Sequence, residues 1–228
     1  MVGGSAVREA VAVGGRGGVS YFGLWRMLYV HPGGLSCVSL KDDILKGAKG
    51  APRYMAEHKV QTLFFALLLV FALVTVLIPL AIPSHSFDLG NEGKVGVVDN
   101  DAKINTIENP VVRFVYQFGD INCHQRDSRS FFVGGNQMPF CVRCTAIFVG
   151  LPLGMLAFFV VRREINPFFL ILAFVPLGVD GVLQAVTSYE SSNLLRVVTG
   201  VLAGLAAGYA LAFIIKEFGV IFKSRKKS

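Results

Sequence analysis

Four long apolar stretches constrain this chain more than any other feature. They run over about residues 60–82, 141–161, 167–187 and 196–215. A helix rising roughly 1.5 Å per residue needs about 20 residues to cross a hydrocarbon core of ~30 Å. Inside that core every backbone polar group needs an internal partner, which a helix supplies. The expected fold is therefore an all-α membrane protein. It is a bundle of four transmembrane helices with one long extracytoplasmic loop between helices 1 and 2. Composition agrees: 53% of residues are hydrophobic and only 16% charged, against about one quarter charged in soluble domains. The first stretch exceeds a secretory signal core of about 7–15 residues and shows no clear small-x-small cleavage site, so it reads as an uncleaved anchor.

Orientation follows from the placement of Lys and Arg. Lys59 and its upstream neighbours, Arg162-Arg163 and the Lys223–Lys227 tail collect on one side. The loop over 83–140 and the turn over 188–195 collect on the other. The positive-inside rule then gives a multi-pass cell-membrane protein with both termini cytoplasmic. The net charge of +7 suits an anionic leaflet, and no motif or aromatic-interleaved basic surface points to nucleic acid. The lipid bilayer is the expected partner.

The chain divides into residues 1–54, 55–222 and 223–228. The first is Gly-rich and aperiodic, with Gly14-Gly15-Arg16-Gly17-Gly18 and Pro32-Gly33-Gly34. It is expected to be a disordered or spurious extension, with translation starting at Met55. His31 and Cys37 receive no role. The middle part is the membrane domain and the last a basic cytoplasmic tail. Within the long loop, 95–101 reads as a short strand and turn. Asn109-Pro110 opens a helix whose Val111, Phe114, Val115 and Phe118 share one face. That face lies either at the membrane interface or on the loop's own core. Gly134-Gly135-Asn136 marks a turn.

Chemistry concentrates in residues 123–145, which hold three of the four cysteines and one of the four histidines. Cys141 and Cys144 stand at i and i+3 at a helix start, on one face. The helix N-terminus and Arg143 favour the thiolate, the form that binds metal and attacks electrophiles. Cys123, His124, Cys141 and Cys144 together make a donor set for zinc or a similar divalent metal. Because neighbouring side chains chelate one ion awkwardly, His124 is either a ligand or a base beside three thiolates and a water. Two other readings stand: a catalytic dithiol resolved by Cys123, without a thioredoxin-like pattern around it, and one structural disulfide with a free thiol. Four cysteines are too few for a disulfide scaffold in a chain this long.

Later spans add polar groups at the same depth. Asp180 and Gln184, at i and i+4, fall in the outer half of the third span. A carboxylate there faces a partner or a water-filled cavity. Arg196 is its expected partner, with Thr199 one turn deeper; a purely structural pair is the plainer reading. Arg126 and Arg129 flank the Cys-His pair, and with Arg143 they suit an anionic group; lipid headgroup contact is the plainer reading there. Gly200, Gly204 and Gly208, and Gly150 with Gly154, form small-xxx-small stripes for close helix packing. Pro152 is a candidate kink, and Pro176 precedes Asp180 by one turn.

These residues resemble a family of small prokaryotic polytopic membrane proteins of unknown function. The resemblance rests on Cys123-His124-Gln125-Arg126, Arg129-Ser130-Phe131, Pro139-Phe140-Cys141-Val142-Arg143-Cys144-Thr145, Asp180-Gly181 with Gln184, and Asn193, Arg196, Thr199-Gly200. Ala146 stands where the family pattern has glycine. The resemblance covers about residues 110–210 and implies a polytopic membrane protein, without a substrate.

Three functional expectations follow. The first is a metal-dependent hydrolase or transferase acting on an anionic lipid-like small molecule. Asp180 or His124 would act as catalytic acid or base, and Arg126, Arg129, Arg143, Gln184, Arg196 and Thr199 would bind substrate. The second is a membrane thiol–disulfide oxidoreductase using Cys141 and Cys144. The third is a non-enzymatic transporter or scaffold with a structural metal or disulfide.

Overall fold

A computed structural model describes residues 37–90 and 95–225. Four of its helical segments are long and apolar enough to cross a membrane: Lys59–Ala81, Val142–Val161, Pro167–Val186 and Asn193–Gly219. They match the four apolar stretches within a few residues at each end.

The helices are α1 (Cys37–Glu57), α2 (Lys59–Leu77, prolonged by a 3-10 turn over Ile78–Ala81), α3 (Asp101–Ile104) and α4 (Pro110–Asn122). They continue with α5 (Val142–Val161), α6 (Pro167–Leu172), α7 (Val175–Val186) and α8 (Asn193–Arg225). A two-residue hairpin, β1 (Phe132–Val133) with β2 (Asn136–Gln137), turns on Gly134 and Gly135. Both glycines have positive φ, as a tight hairpin turn requires. Residues 95–101, read from sequence as a short strand and turn, hold an exposed turn and bend but no strand, and Asp101 opens α3.

The second and fourth spans form the centre. Their glycines interlock in parallel register: a Cβ at Gly204 would stand 2.4 Å from the Ile147 carbonyl oxygen, and one at Gly208 1.9 Å from that of Leu151. One at Gly154 would stand 2.1 Å from the Leu205 oxygen. No larger residue fits while the backbones stay this close. Without a hydrophobic drive between helices in lipid, such approach is how spans hold together. Pro152 lies inside α5, yet the helix runs unbroken to Val161. The first span packs antiparallel along α5, through Phe65 on Phe159 and Phe71 on Phe148. Gln61, buried in that apolar face, donates to the Ala212 carbonyl of α8 at 2.6 Å.

The third span is different. It breaks at Ala173–Phe174 into α6 and α7, and only 6% of its apolar window is buried by protein, against 44% for the second and fourth spans. Leu170 packs on the core formed by Met155, Phe158, Phe159 and Tyr209. At the other end of the span, Asp180 meets Arg143 and Gln184 donates to the Ser191 hydroxyl.

Helix α1 crosses residue 54, where the sequence reading ended a poorly ordered tail. Its small residues explain the difference. Gly47 lies against the Val160 backbone, and Ala51 is buried in the same core as Phe159. Arg162 donates to the Gly47 carbonyl and lies over the Tyr54 ring. A period of small rather than large apolar residues carries little hydrophobic signal. Residues 1–36 lie outside the described part, as do His31 and the last three residues of the tail.

Replacing Gly204 or Gly208 by Ala should force the second and fourth spans apart and cost about 1–3 kcal/mol, the range for overpacking. Gly219→Ala on the same helix, where nothing lies within 4 Å, should cost nothing. Thermal unfolding of the three variants in detergent measures the contrast.

Candidate functional site

The loop between the first two spans folds around its own small core of Phe87, Leu89, Ile104, Ile107, Val112 and Tyr116. Helix α4 supplies two of these, so one of its faces packs inward. Val111, Phe114, Phe118 and Ile121 remain exposed on another face. The face marked by Val111, Phe114 and Phe118 is therefore not the one on the loop's core, which Val112 and Tyr116 meet from the other side. Asn109 caps it by accepting from the Val111 and Val112 amides, and Pro110 occupies the first turn.

Buried amides hold the loop closed. Asn136 accepts from the Ser86 and Phe87 amides and donates to the carbonyls of Pro79, Ile82 and Pro83. Gln137 accepts from the Leu89 amide and donates to the Gln125 carbonyl. Gln125 is fully buried, has a positive φ, and donates to the carbonyls of Tyr116 and Pro139. Asn100 bridges the Asp120 carboxylate and the Gln125 side chain. None of these amides stood out in the sequence. A signal existed only for Gln125, through its place in Cys-His-Gln-Arg.

This clamp brings Cys123 to Cys141. Cys123 ends α4, and Gly119 lets the Pro139 backbone approach so closely that a Cβ would stand 2.1 Å from its oxygen. Phe140, also buried, wedges against Phe71, Phe118 and Phe148 and seats the following cysteine at the head of α5. The Cys141 amide donates to the Cys123 sulfur at 3.1 Å.

The sulfurs of Cys123, Cys141 and Cys144 all lie within 4.8 Å of one another, so the three cysteines are close enough to hold a metal ion. Tetrahedral coordination at about 2.3 Å per Zn–S bond needs sulfurs roughly 3.8 Å apart, a small contraction. An amide donating to a ligand sulfur also fits, since it stabilises a thiolate. Shared hydrogen bonds split the acidities of the loop-side thiols. Those from Cys123 and Cys144, helped by the Cys144 and Arg143 amides, hold Cys141 far below the ordinary thiol range. The bond to Cys141 pushes Cys123 up to about 11. The arrangement therefore favours the thiolate at Cys141, the form that binds metal.

His124 is exposed and stands outside the three-sulfur group, although the Cys141 charge reaches it. Burial of part of its ring lowers its pKa, and Arg126, Arg129 and Arg143 lower it further. Asp180 is buried, and its partner is Arg143 rather than Arg196. The Arg143 backbone lies against Gly200, while its guanidinium extends to the third span at Gly181 and Asp180. Arg196 instead donates to the Asn193 side chain at 2.8 Å, and Thr199 to the Leu195 carbonyl at 2.8 Å. Arg129 pairs with Glu190 at 2.5 Å, and Asn193 donates to the Ser128 carbonyl. Those contacts tie the Cys-His loop to the head of the fourth span. Arg129, Arg196 and Arg126 all depress the Glu190 pKa, Arg129 most strongly by direct hydrogen bonding. Among the described residues, three buried side-chain polar atoms lack a partner: Asp180 Oδ1, Arg143 Nε and Arg129 Nε.

A helical bundle with four membrane-spanning segments and a three-thiol cluster at one end defines a polytopic membrane protein with a candidate metal centre. The chain matches the family described as "Predicted membrane protein (DUF2085)" over residues 123–210, a span that opens on Cys123 and includes Arg196 and Thr199. An uncharacterized protein of Methanocaldococcus jannaschii, MJ1492, is 35% identical over 117 residues, covering 49% of this chain and 74% of that protein. An uncharacterized protein of Methanothermobacter thermautotrophicus is 34% identical over 97 residues, covering 41% of this chain and 84% of that protein. The chain belongs to this family of predicted membrane proteins. No solved structure matches it.

Asp180→Asn should cost about 3 kcal/mol, because it strands the Arg143 charge in a mostly buried position. Adding Arg143→Gln should recover part of that loss. A double-mutant cycle on thermal unfolding reads the coupling directly.

Proposed function

We propose that this protein holds zinc or a similar divalent ion on Cys123, Cys141 and Cys144 and binds an anionic, lipid-like molecule beside it. The observation that carries the reading is the convergence of three sulfurs within 4.8 Å of one another, beside four arginines. Three protein ligands leave a tetrahedral ion one further position, for His124, water or substrate. When bound, such an ion supplies Lewis-acid activation of water or of a substrate oxygen, which suits a hydrolase or transferase.

The chain's own residues take the remaining roles. Arg126, Arg129, Arg143 and Arg196 hold the anionic group, with Gln184 and Thr199 as neutral hydrogen-bonding neighbours. Asp180 serves as the proton acceptor in this reading, supported by its one oxygen on Arg143 and the other unpartnered. Exposed His124 is the alternative base or fourth ligand. Lys59, Arg162 and Arg163 lie at the opposite end of the bundle, which supports cytoplasmic termini and an extracytoplasmic site.

Protein purified without chelators should carry about one zinc-like ion per chain, measured by elemental analysis. Cys144→Ser should lose most of it. Thiol trapping in native membranes is the companion measurement. A metal-free protein whose cysteines cycle between thiol and disulfide would replace this reading with the oxidoreductase. Stoichiometric metal without lipid-phosphate binding would leave a structural centre in a transporter or scaffold.

A further inference from the structure

We propose that a lipid bearing a phosphate headgroup reaches this site sideways from the bilayer, through a window between the third span and the packed second and fourth spans. The inference rests on the anion-binding part of the function proposed above, and it names the substrate class and the route.

The third span is fastened at both ends and open between them. Leu170 holds one end to the core, and the Asp180–Arg143 and Gln184–Ser191 contacts hold the other. Between these, the inward positions Ala173, Leu177 and Gly181 are only half-buried. A side chain at Gly181 would meet one atom within 4 Å, the tip of Arg143, at 3.9 Å. Glycines of the second and fourth spans are small because backbone presses on them. Gly181, on the half-buried face of the third span, borders space that protein does not fill. In a bilayer such space takes up acyl or isoprenoid chains.

The head of the window has unmet hydrogen-bonding capacity. Arg143 Nε and Arg129 Nε are buried donors without acceptors, and Asp180 Oδ1 is a buried acceptor without a donor, on a side chain only 4% exposed. A buried polar group left unpaired is costly, so three together call for a ligand rather than chance. A phosphate monoester offers acceptor oxygens to the guanidiniums and, singly protonated, one donor to the carboxylate. Glu190, paired with Arg129, balances part of the arginine charge, which makes recognition depend on these oriented donors. Because this head lies at the end of the spans, a phosphate there sits where a lipid carries it, with its chain beside Gly181 and Leu177.

The test uses the full chain in neutral-detergent micelles with a fluorescent long-chain alkyl monophosphate. The matching alkyl alcohol is a second probe, and inorganic phosphate is a competitor. Wild type should bind the alkyl phosphate, bind the alcohol at least about tenfold more weakly, and keep the probe when equimolar inorganic phosphate is added. Gly181→Phe should fill the window and weaken binding about tenfold or more, with metal content and thermal midpoint unchanged. Leu177→Trp, one turn deeper on the same face, should do the same and decides the matter if Gly181→Phe folds poorly. Unchanged binding in the plugged variants, equal binding of the alcohol, or displacement by inorganic phosphate would each overturn the proposal. Metal content of the same samples separates the two ideas. A metal-free protein that still binds through the window removes the metal centre alone, while a metal-loaded protein indifferent to the plugs removes the window alone.

Discussion

Backbone-on-backbone contact between the second and fourth spans is the constraint on which the other placements depend. Lipid offers these helices no hydrophobic reward for associating, so dispersion and weak C–H···O contacts at short range must do it. Gly200, Gly204 and Gly208 permit that range against Ala146, Ile147 and Leu151. The same interlock fixes parallel register to within a residue. It sets Arg143 against Gly200, and so puts the cysteine helix start beside the head of α8. A slip of one turn would carry Arg143 away from Asp180.

A second constraint acts on the loop. Its core is small, and a few apolar side chains would not by themselves hold a 60-residue excursion in one conformation. Buried amides of Asn136, Gln137 and Gln125 supply specificity by engaging backbone groups that otherwise would be unpaired. Their product is local and chemical: Cys123 is delivered to the amide of Cys141. The metal-ligand geometry is thus made jointly by a membrane helix and a folded loop, with Phe140 as the joint between them. Tyr116, whose hydroxyl donates to the Gln137 carbonyl at 2.6 Å, has its pKa raised by burial in the same clamp.

The third span differs in what holds it. Two spans are joined by shape, whereas this one is joined by an ion pair and an amide–hydroxyl contact at one end and by Leu170 at the other. A helix held by a few polar contacts in lipid can separate from its neighbours at lower cost than one held by interlocked backbone. That asymmetry gives the bundle a rigid half carrying Cys141, Cys144 and Arg196 and a looser wall carrying Asp180.

The amino-acid sequence alone determined the four spans, because their apolar length is a local property that needs no partner. It also marked residues 123–145 and the polar positions Asp180, Gln184, Arg196 and Thr199, since charged and thiol groups near a bilayer are rare enough to stand out. Only the tertiary structure decided their pairing. Asp180 belongs to Arg143 because helix register, invisible in composition, brings that side chain nearer than Arg196. Three sulfurs converge while His124 stays exposed, because adjacent side chains of an extended segment point to opposite sides. The docking of α1 was hidden for a related reason: Gly47, Gly50 and Ala51 act through the space they leave empty, and a neighbour must exist before that space has meaning.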